Sequence, residues 1–313
     1  MRVYASLDEF PTAAFARGSA VAIGKFDGVH RGHRELLART ARRAAEQGLD
    51  PLAFTFANNP LSLLRPEICP KPIMSREQRL DALAAAGAAA CVMVPFDAEL
   101  AAVSAESFVE DVLVGRLRMR HLCVGADFRF GHRGAGDVEL LRAMSERLGY
   151  TVEVLEDITD PDLGRVSSSS VREAIERGDV ELAGRMMDRP VTVRGTVVHG
   201  DARGRDLGFP TANLGGDVEG LVPAEGVYAG WARVNGERHM AAISVGANVT
   251  FDPNGPLRVE PHLLDFAGDL YGAPIEVQFV QRLRGMVAFT SIDALVERIA
   301  DDVRATREVL TGR

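Results

Sequence analysis

Cysteine is scarce in this chain and poorly placed for cross-linking. Three occur among 313 residues, Cys69, Cys91 and Cys123: an odd number, widely spaced, with no Cys-x-x-Cys. That excludes a disulfide framework and a cysteine zinc site, and reads as structural thiols in a reducing compartment. Long apolar runs are also missing. No stretch reaches the roughly 18 apolar residues of a membrane helix, and the opening MRVYASLDEF lacks a basic segment leading into an apolar one, so the expectation is a cytoplasmic chain. Positive charge is in deficit: 36 Lys+Arg against 44 Asp+Glu leaves a net charge of −8. That balance argues against general affinity for nucleic acid or a membrane surface, and Arg39, Arg42 and Arg43 read as a solvated helix face. No GxxxxGK[ST] segment occurs, which excludes a Walker-type phosphate loop, and no HExxH supports a zinc protease.

What is present is ordinary globular composition, 46% hydrophobic and 26% charged, on a chain whose length implies about two domains. The two halves have different periods. From about residue 20 to 177, short apolar runs at 21–23, 52–56, 91–94, 122–124 and 152–155 alternate with helical patterns. The helices are expected over 34–47, stopping at Gly48; over 76–86, opening on the Ser75/Gln78 capping-box spacing; and over 138–148, stopping at Gly149. Such units predict a doubly wound parallel sheet. From Val191 onward, VTVRGTVV, GVYAGWARV, RHMAAISV and PIEVQFV read as strands, with Asn235-Gly236 a hairpin signal, which predicts a small antiparallel barrel or sandwich. A last helix is expected over 291–310, with Leu295, Ile299 and Val303 or Ala300 on its apolar stripe. The boundary is expected within 179–190, where Asp188-Arg-Pro ends a helix.

Ligands of open α/β sheets bind beyond the carboxyl ends of the strands, and the loops expected there are distinctive. GKFDGVHRGH follows the first strand. Asn58-Asn59-Pro60 follows the second, GADFRFG (125–131) the fourth, and VSSSSVR (166–172) the fifth. His30 and His33, three apart at a helix start, share one face beside unpaired backbone N–H groups, a site suited to phosphate. Ser167 to Ser170 and Arg172 taken singly read as an N-cap and a surface charge; facing the histidine turn across the rim, they read as the second half of a triphosphate clamp. The combination resembles the HxGH nucleotidyltransferase superfamily, in which the histidine pair and a serine-arginine motif hold ATP. A zinc reading of the histidines fails for want of a third ligand at usable spacing.

In the second half, GTVVHGDARGRDLGFPTAN (195–213) joins a strand to a glycine-rich loop. Gly200, Gly204 and Gly208 alone would suit a barrel corner, but Thr211 and Asn213, two oxygen-bearing side chains two apart, suit a hard cation such as Mg²⁺. In VEPHLLDF (259–266), Glu260 and His262 alternate away from Val259. These segments, together with GVYAGW, ISVGANVTF and DLYG, occur in the order and spacing of the bacterial bifunctional riboflavin kinase/FMN adenylyltransferases, the FAD synthetases, and the resemblance covers nearly the whole chain.

The resemblance implies an adenylyltransferase domain over 1–186 and a riboflavin kinase domain over 187–313, the latter a six-stranded antiparallel β-barrel with a C-terminal helix. It implies ATP held by Gly24, Phe26, Asp27, His30, His33, Ser167, Ser168 and Arg172, with His30, His33 and Arg172 catalytic. FMN would be held by Asn59, Asp127 and Phe128. In the kinase, Gly200, Gly208, Thr211 and Asn213 would bind ATP, Thr211 and Asn213 the Mg²⁺, and Glu260 would be the general base. Riboflavin, FMN, FAD and ATP are the implied partners, with no nucleic acid or membrane, and a monomer or weak homo-oligomer is expected. The chain departs from the family pattern at Asn59, where many members carry histidine. Ser169 replaces a usual threonine, and Ala247 and Val249 replace Thr and Pro of Gly-Thr-Asn-Pro-Thr-Phe, a change bearing on kinase efficiency. Two other readings are an adenylyltransferase with an inactive barrel and a flavin-binding sensor without turnover.

Overall fold

The computed structural model describes the chain apart from residues 157, 201–203, 205, 206, 247–257, 288, 290 and 313, and the side chain of 217; Ala247 and Val249 therefore lie outside the described residues. The chain divides into two compact units, Met1–Ser167 and Ser168–Arg313.

The first unit is built on a parallel sheet. Its strands are β1 (Arg2–Tyr4), β2 (Ser19–Ile23), β3 (Asp50–Phe56), β4 (Ala90–Val94), β5 (Met119–Gly125) and β6 (Thr151–Leu155), in the order β1-β4-β3-β2-β5-β6. Every residue of β2 and of β4 is buried, as expected of strands covered on both faces. Alternate side chains feed two cores. Val21, Ile23, Leu52, Phe54, Leu122 and Val124 pack on one face, and Ala22, Ala53, Cys91, Met93 and Cys123 on the other. The helices are α1 (Arg31–Gln47), α2 (Pro60–Leu64), α3 (Arg76–Ala85), α4 (Ala98–Ala102), α5 (Ala105–Ser107), continued by a π-helix over Phe108–Arg116, and α6 (Val138–Leu148). Leu36 and Leu37 of α1 and Leu83 of α3 serve the second core, whereas Val109, Leu113 and Leu141 serve the first. Helices on both faces make this the doubly wound sheet that the sequence pattern predicts. A two-stranded hairpin, β7 (Thr159–Asp160) with β8 (Gly164–Arg165), follows β6.

Caps behave as read: Ser75 and Gln78 form the capping box, and Gly48 and Gly149 close α1 and α6 in the left-handed conformation. Two differences stand out. A sixth strand, β1, pairs at the sheet edge with β4; at three residues it is too short to show a period. Helix α1 begins at Arg31 rather than at Arg34, because a weak helix former such as Gly32 costs little once the turn ahead of it is anchored.

In the second unit, α7 (Ser168–Glu176) and α8 (Val180–Met187) precede the barrel, and Asp188, left-handed at φ 54°, ends α8. Strands β9 (Val191–Val198), β10 (Asn213–Glu219), β11 (Gly226–Val234), β12 (Glu237–Gly246), β13 (Arg258–Leu263) and β14 (Pro274–Arg284) are all antiparallel, in the order β10-β9-β14-β11-β12-β13. Asn235 (φ 51°) and Gly236 (φ 84°) make the tight β11–β12 turn. The outer strands meet, since Ala212 N–H donates to Pro261 O at 2.9 Å, nearly closing the six-stranded sheet into a barrel. Helix α9 (Ile292–Thr311), capped by Ser291, packs on β11, β12 and β14.

Candidate functional site

In the parallel sheet β2 lies between β3 and β5, so successive connections leave it in opposite directions. Such a switch point opens a crevice beyond the carboxyl ends of the strands. Residues 24–30 turn there from β2 into α1. Gly24 N–H still donates to Phe54 O (3.2 Å), and Val29 N–H donates to Phe26 O (3.3 Å). Phe26 and Val29 hold positive φ, 52° and 36°, a conformation that bulky and β-branched residues rarely take. Both are fully buried in the core beneath α1 and α3, and that burial, about 1.5–3 kcal/mol per side chain, offsets a strain of about 1–3 kcal/mol each. Asp27 ties the turn sideways, its Oδ1 accepting from Ile73 N–H at 2.9 Å.

The two histidines are brought together. His30 is the N-cap residue of α1, and His33 stands in its first turn. Their rings stack with centroids 3.8 Å apart, and Phe26 meets His33 edge-on at 5.2 Å. A Cβ on Gly32 would stand 3.1 Å from His30 Cε1, so glycine between the histidines leaves room for the imidazole. His30 is 7% exposed. Two imidazoles beside the N–H groups of a helix start can donate to the oxygens of an anion.

The loops after β3 and β5 flank this turn. Asn58 bridges to the loop after β4, donating from Nδ2 to Phe96 O (3.0 Å) and accepting from Phe96 N–H (2.8 Å). Asn59 caps α2, its Oδ1 accepting from Leu61 N–H at 3.1 Å. Phe128 stacks on Phe130 at 5.3 Å, while Asp127 is exposed. Ser167 ends the first unit; Ser168 and Arg172 lie on α7 of the second. Arg172 is only 9% exposed, not the surface charge its sequence context suggests.

Sequence reasoning passed over Arg79. On the first turn of α3, it reaches three backbone carbonyls: Lys25 O (3.1 Å), Phe56 O (2.8 Å) and Ala57 O (3.1 Å). Burial pulls its pKa down, opposed by the charge of Asp27. No local pattern marks it, because its partners are main-chain atoms far away in sequence. The buried thiols of Cys91 and Cys123 are pushed up by desolvation to about 12 and about 11, as suits structural cysteines; Cys69 is half-buried.

In the barrel, the seam between β10 and β13 gathers the residues singled out there. His262 Nδ1 lies 2.7 Å from Pro210 O, and Phe209 meets the His262 ring edge-on at 5.6 Å. Glu260 sits on β13 opposite Ser244, half-buried, on the same alternation as His262. Thr211 is exposed just ahead of β10, and Asn213 begins that strand opposite Val198. A Cβ on Gly200 would fall 2.3 Å from Asn213 Nδ2, so glycine there lets that amide keep its position. Gly208 holds φ 83°. The Pro-Thr-Ala-Asn segment and Glu260 thus belong to one seam of the barrel. Among the described residues, no group of three or more His, Cys, Asp or Glu could hold a metal ion, and no helix is long and apolar enough to cross a membrane.

Comparison with known proteins gives consistent matches. A family model described as FAD synthetase matches residues 12–170, and one described as riboflavin kinase matches residues 187–310. Bifunctional riboflavin kinase/FMN adenylyltransferases are similar over most of the chain: that of Pseudomonas fluorescens is 38% identical over 291 residues, 93% of each chain. The Escherichia coli K12 protein is 35% identical, covering 93% of this chain and 92% of its own. The Bacillus subtilis protein is 34% identical, covering 91% and 90%. A crystal structure named as a macrolide-efflux protein from Streptococcus pneumoniae has a TM-score of 0.86 at 30% identity, covering 97% of this chain and 98% of that one.

Proposed function

The chain belongs to the bifunctional riboflavin kinase/FMN adenylyltransferase family, and from that premise we propose how its residues divide the two reactions. The enzyme phosphorylates riboflavin with ATP to give FMN and ADP, then joins FMN to the AMP of a second ATP, releasing pyrophosphate and giving FAD.

For adenylyl transfer, Gly24, Asp27, His30 and His33 hold ATP at the switch-point turn, with Ser167, Ser168 and Arg172 on its β and γ phosphates. Phe26, expected to bind ATP but fully buried, supports the His33 ring from the core. Asp27 acts here by shaping the turn, through its bond to Ile73. Asn59, Asp127 and Phe128 receive FMN. A phosphate oxygen of FMN attacks the α-phosphorus of ATP, the bond to the bridging oxygen breaks, and pyrophosphate departs with its electron pair. His30, His33 and Arg172 stabilise the charge on the transferring and leaving groups, so the chemistry is positioning and neutralisation without a covalent enzyme intermediate. The observation that carries this assignment is the stacked histidine pair, 3.8 Å apart at the start of α1.

For phosphorylation, Gly200, Gly208, Thr211 and Asn213 bind the second ATP at the barrel seam. Glu260 accepts the proton of the ribityl hydroxyl as its oxygen attacks the γ-phosphorus, and ADP leaves. Thr211 Oγ1 and the Asn213 amide oxygen, the latter given room by Gly200, fit a hard cation that takes the rest of its shell from water and phosphate. Bound there, Mg²⁺ would neutralise phosphate charge. The riboflavin kinase match beginning at residue 187 supports a functional division into 1–186 and 187–313, although the compact units divide earlier, after Ser167. We take the working unit to be a monomer or weak homo-oligomer, its sequence offering no coiled-coil or swapped segment, and place it in the cytoplasm, where its few scattered cysteines suit a reducing compartment.

Incubating the purified protein with riboflavin and Mg·ATP and separating the flavins by chromatography tests the reading. FMN followed by FAD is expected. No FMN would overturn the kinase assignment, and FMN without FAD the transferase assignment.

A further inference from the structure

We propose that Arg79 is a positioning residue for adenylyl transfer, one that fixes the spacing between the ATP turn and the FMN loop without touching either substrate. The proposal rests on the reading that residues 24–33 hold ATP and that the loop around Asn59 receives FMN.

Arg79 ties these two segments to one another. Its Nη1 donates to Lys25 O at 3.1 Å, inside the turn between Gly24 and Phe26. Its Nη2 donates to Phe56 O at 2.8 Å and to Ala57 O at 3.1 Å, where β3 runs out into Asn58-Asn59-Pro60. Thr55 Oγ1 adds a second donor to Lys25 O at 3.2 Å, so that carbonyl is held from two sides. Helix α3, which carries Arg79, is itself fixed at its start: Ser75 and Gln78 cap it reciprocally, and Arg79 N–H donates to Ser75 O at 3.0 Å. The guanidinium is therefore a fork on a rigid base.

The use made of this cation is unusual. Among the described residues Arg79 forms no salt bridge, and apart from a contact of Nη2 with Met93 Sδ (3.9 Å) its guanidinium donates to main-chain oxygens at the carboxyl rim of the sheet. A planar five-donor group can serve carbonyls from two segments at once; an ammonium is a point charge that holds one geometry less well. Adenylyl transfer needs that rigidity, because the FMN oxygen must stand about 3–3.5 Å from the α-phosphorus and in line with the leaving oxygen. Each substrate would still find its own loop if Arg79 were lost. What would change is the distance between them, and a misplacement of about 1 Å costs on the order of 10²-fold in rate.

The test uses the full chain with Arg79→Lys and Arg79→Ala, measuring FAD formation with FMN and ATP varied separately and riboflavin phosphorylation on the same preparations. For Arg79→Ala, kcat for FAD formation is expected to fall about 10²-fold, with both KM values within about threefold. Added methylguanidinium is expected to restore part of it, and Arg79→Lys to fall between Arg79→Ala and the parent. Riboflavin phosphorylation should not change. An unchanged kcat, a loss confined to KM, or equal loss of both activities overturns the proposal. Should Arg79→Ala fail to fold, Arg79→Lys decides by the same split of kcat from KM. His33→Ala is the control for the underlying reading: full FAD formation by that variant overturns the ATP assignment, whereas its loss beside an unaffected Arg79→Ala overturns only the role given to Arg79.

Discussion

Glu260 shows what a single residue can be made to tell. On sequence grounds it is a glutamate alternating with Val259 on a strand, and such residues are usually just exposed. In the barrel it lies on β13 beside Pro261, whose carbonyl closes the seam to Ala212, next to the Pro-Thr-Ala-Asn segment. A general base contributes about 10²–10⁴-fold. Glu260→Gln, which keeps the shape and removes the basicity, is therefore expected to slow riboflavin phosphorylation by that factor while FMN-to-FAD conversion is unchanged. Following the two flavin products separately checks it, and a parallel fall in both would show that the sites are not separate. The residue types proposed for both sites could be picked out of the sequence because phosphate and hard cations demand particular donors at particular spacings. Arg79 and the burial of Arg172 were not legible, because they depend on which main-chain atoms and side chains the fold brings around them.

Among the elements, the final helix marks the limit of reading by period. Its pattern puts Leu295, Ile299 and Val303 inward, and these residues are half-buried, but the deepest positions are Asp302, Thr306 and Leu310, one of them charged. Asp302 is inward because Arg284, at the end of β14, meets it with a fork: Nε to Oδ1 at 2.9 Å and Nη2 to Oδ2 at 2.7 Å. The two side chains are 8% and 11% exposed. Removing one partner of such a pair leaves a buried charge without compensation, at a cost of about 3–5 kcal/mol. Asp302→Ala should lower the stability of the second unit by about that much, read as a shift of the urea midpoint, and Asp302→Ala with Arg284→Met should recover part of the loss. A double variant no better than Asp302→Ala would show that the helix loses its packing rather than a charge partner. The strand β1 escaped for a different reason, since three residues at a sheet edge hold too few side chains to show alternation.

For the whole molecule, the change of period near residue 190 revealed two halves, but not which half holds the helices between them. The matched family spans leave residues 171–186 to neither. Packing assigns them to the barrel. Helix α8 lies against β9 and β14, Ala224 N–H donates to Ile175 O (3.3 Å), and Arg282 donates from Nη2 to Glu225 O (2.6 Å) and from Nη1 to Arg177 O (3.3 Å). Val171, Ala174, Ile175, Val180, Ala183, Met186 and Met187 are all buried. Both helices are amphipathic, and an apolar face does not say which neighbour it will cover. A fragment of residues 187–313 would therefore expose barrel surface that α7 and α8 cover, and one beginning at Ser168 would keep it buried. With about 1.5–3 kcal/mol for each buried aliphatic side chain, the longer fragment is expected to be more stable by at least about 3 kcal/mol, measured by urea unfolding of the two side by side. Equal midpoints would mean that α7 and α8 are held by something other than the barrel. By the same packing, kinase fragments should be cut ahead of α7 rather than after it.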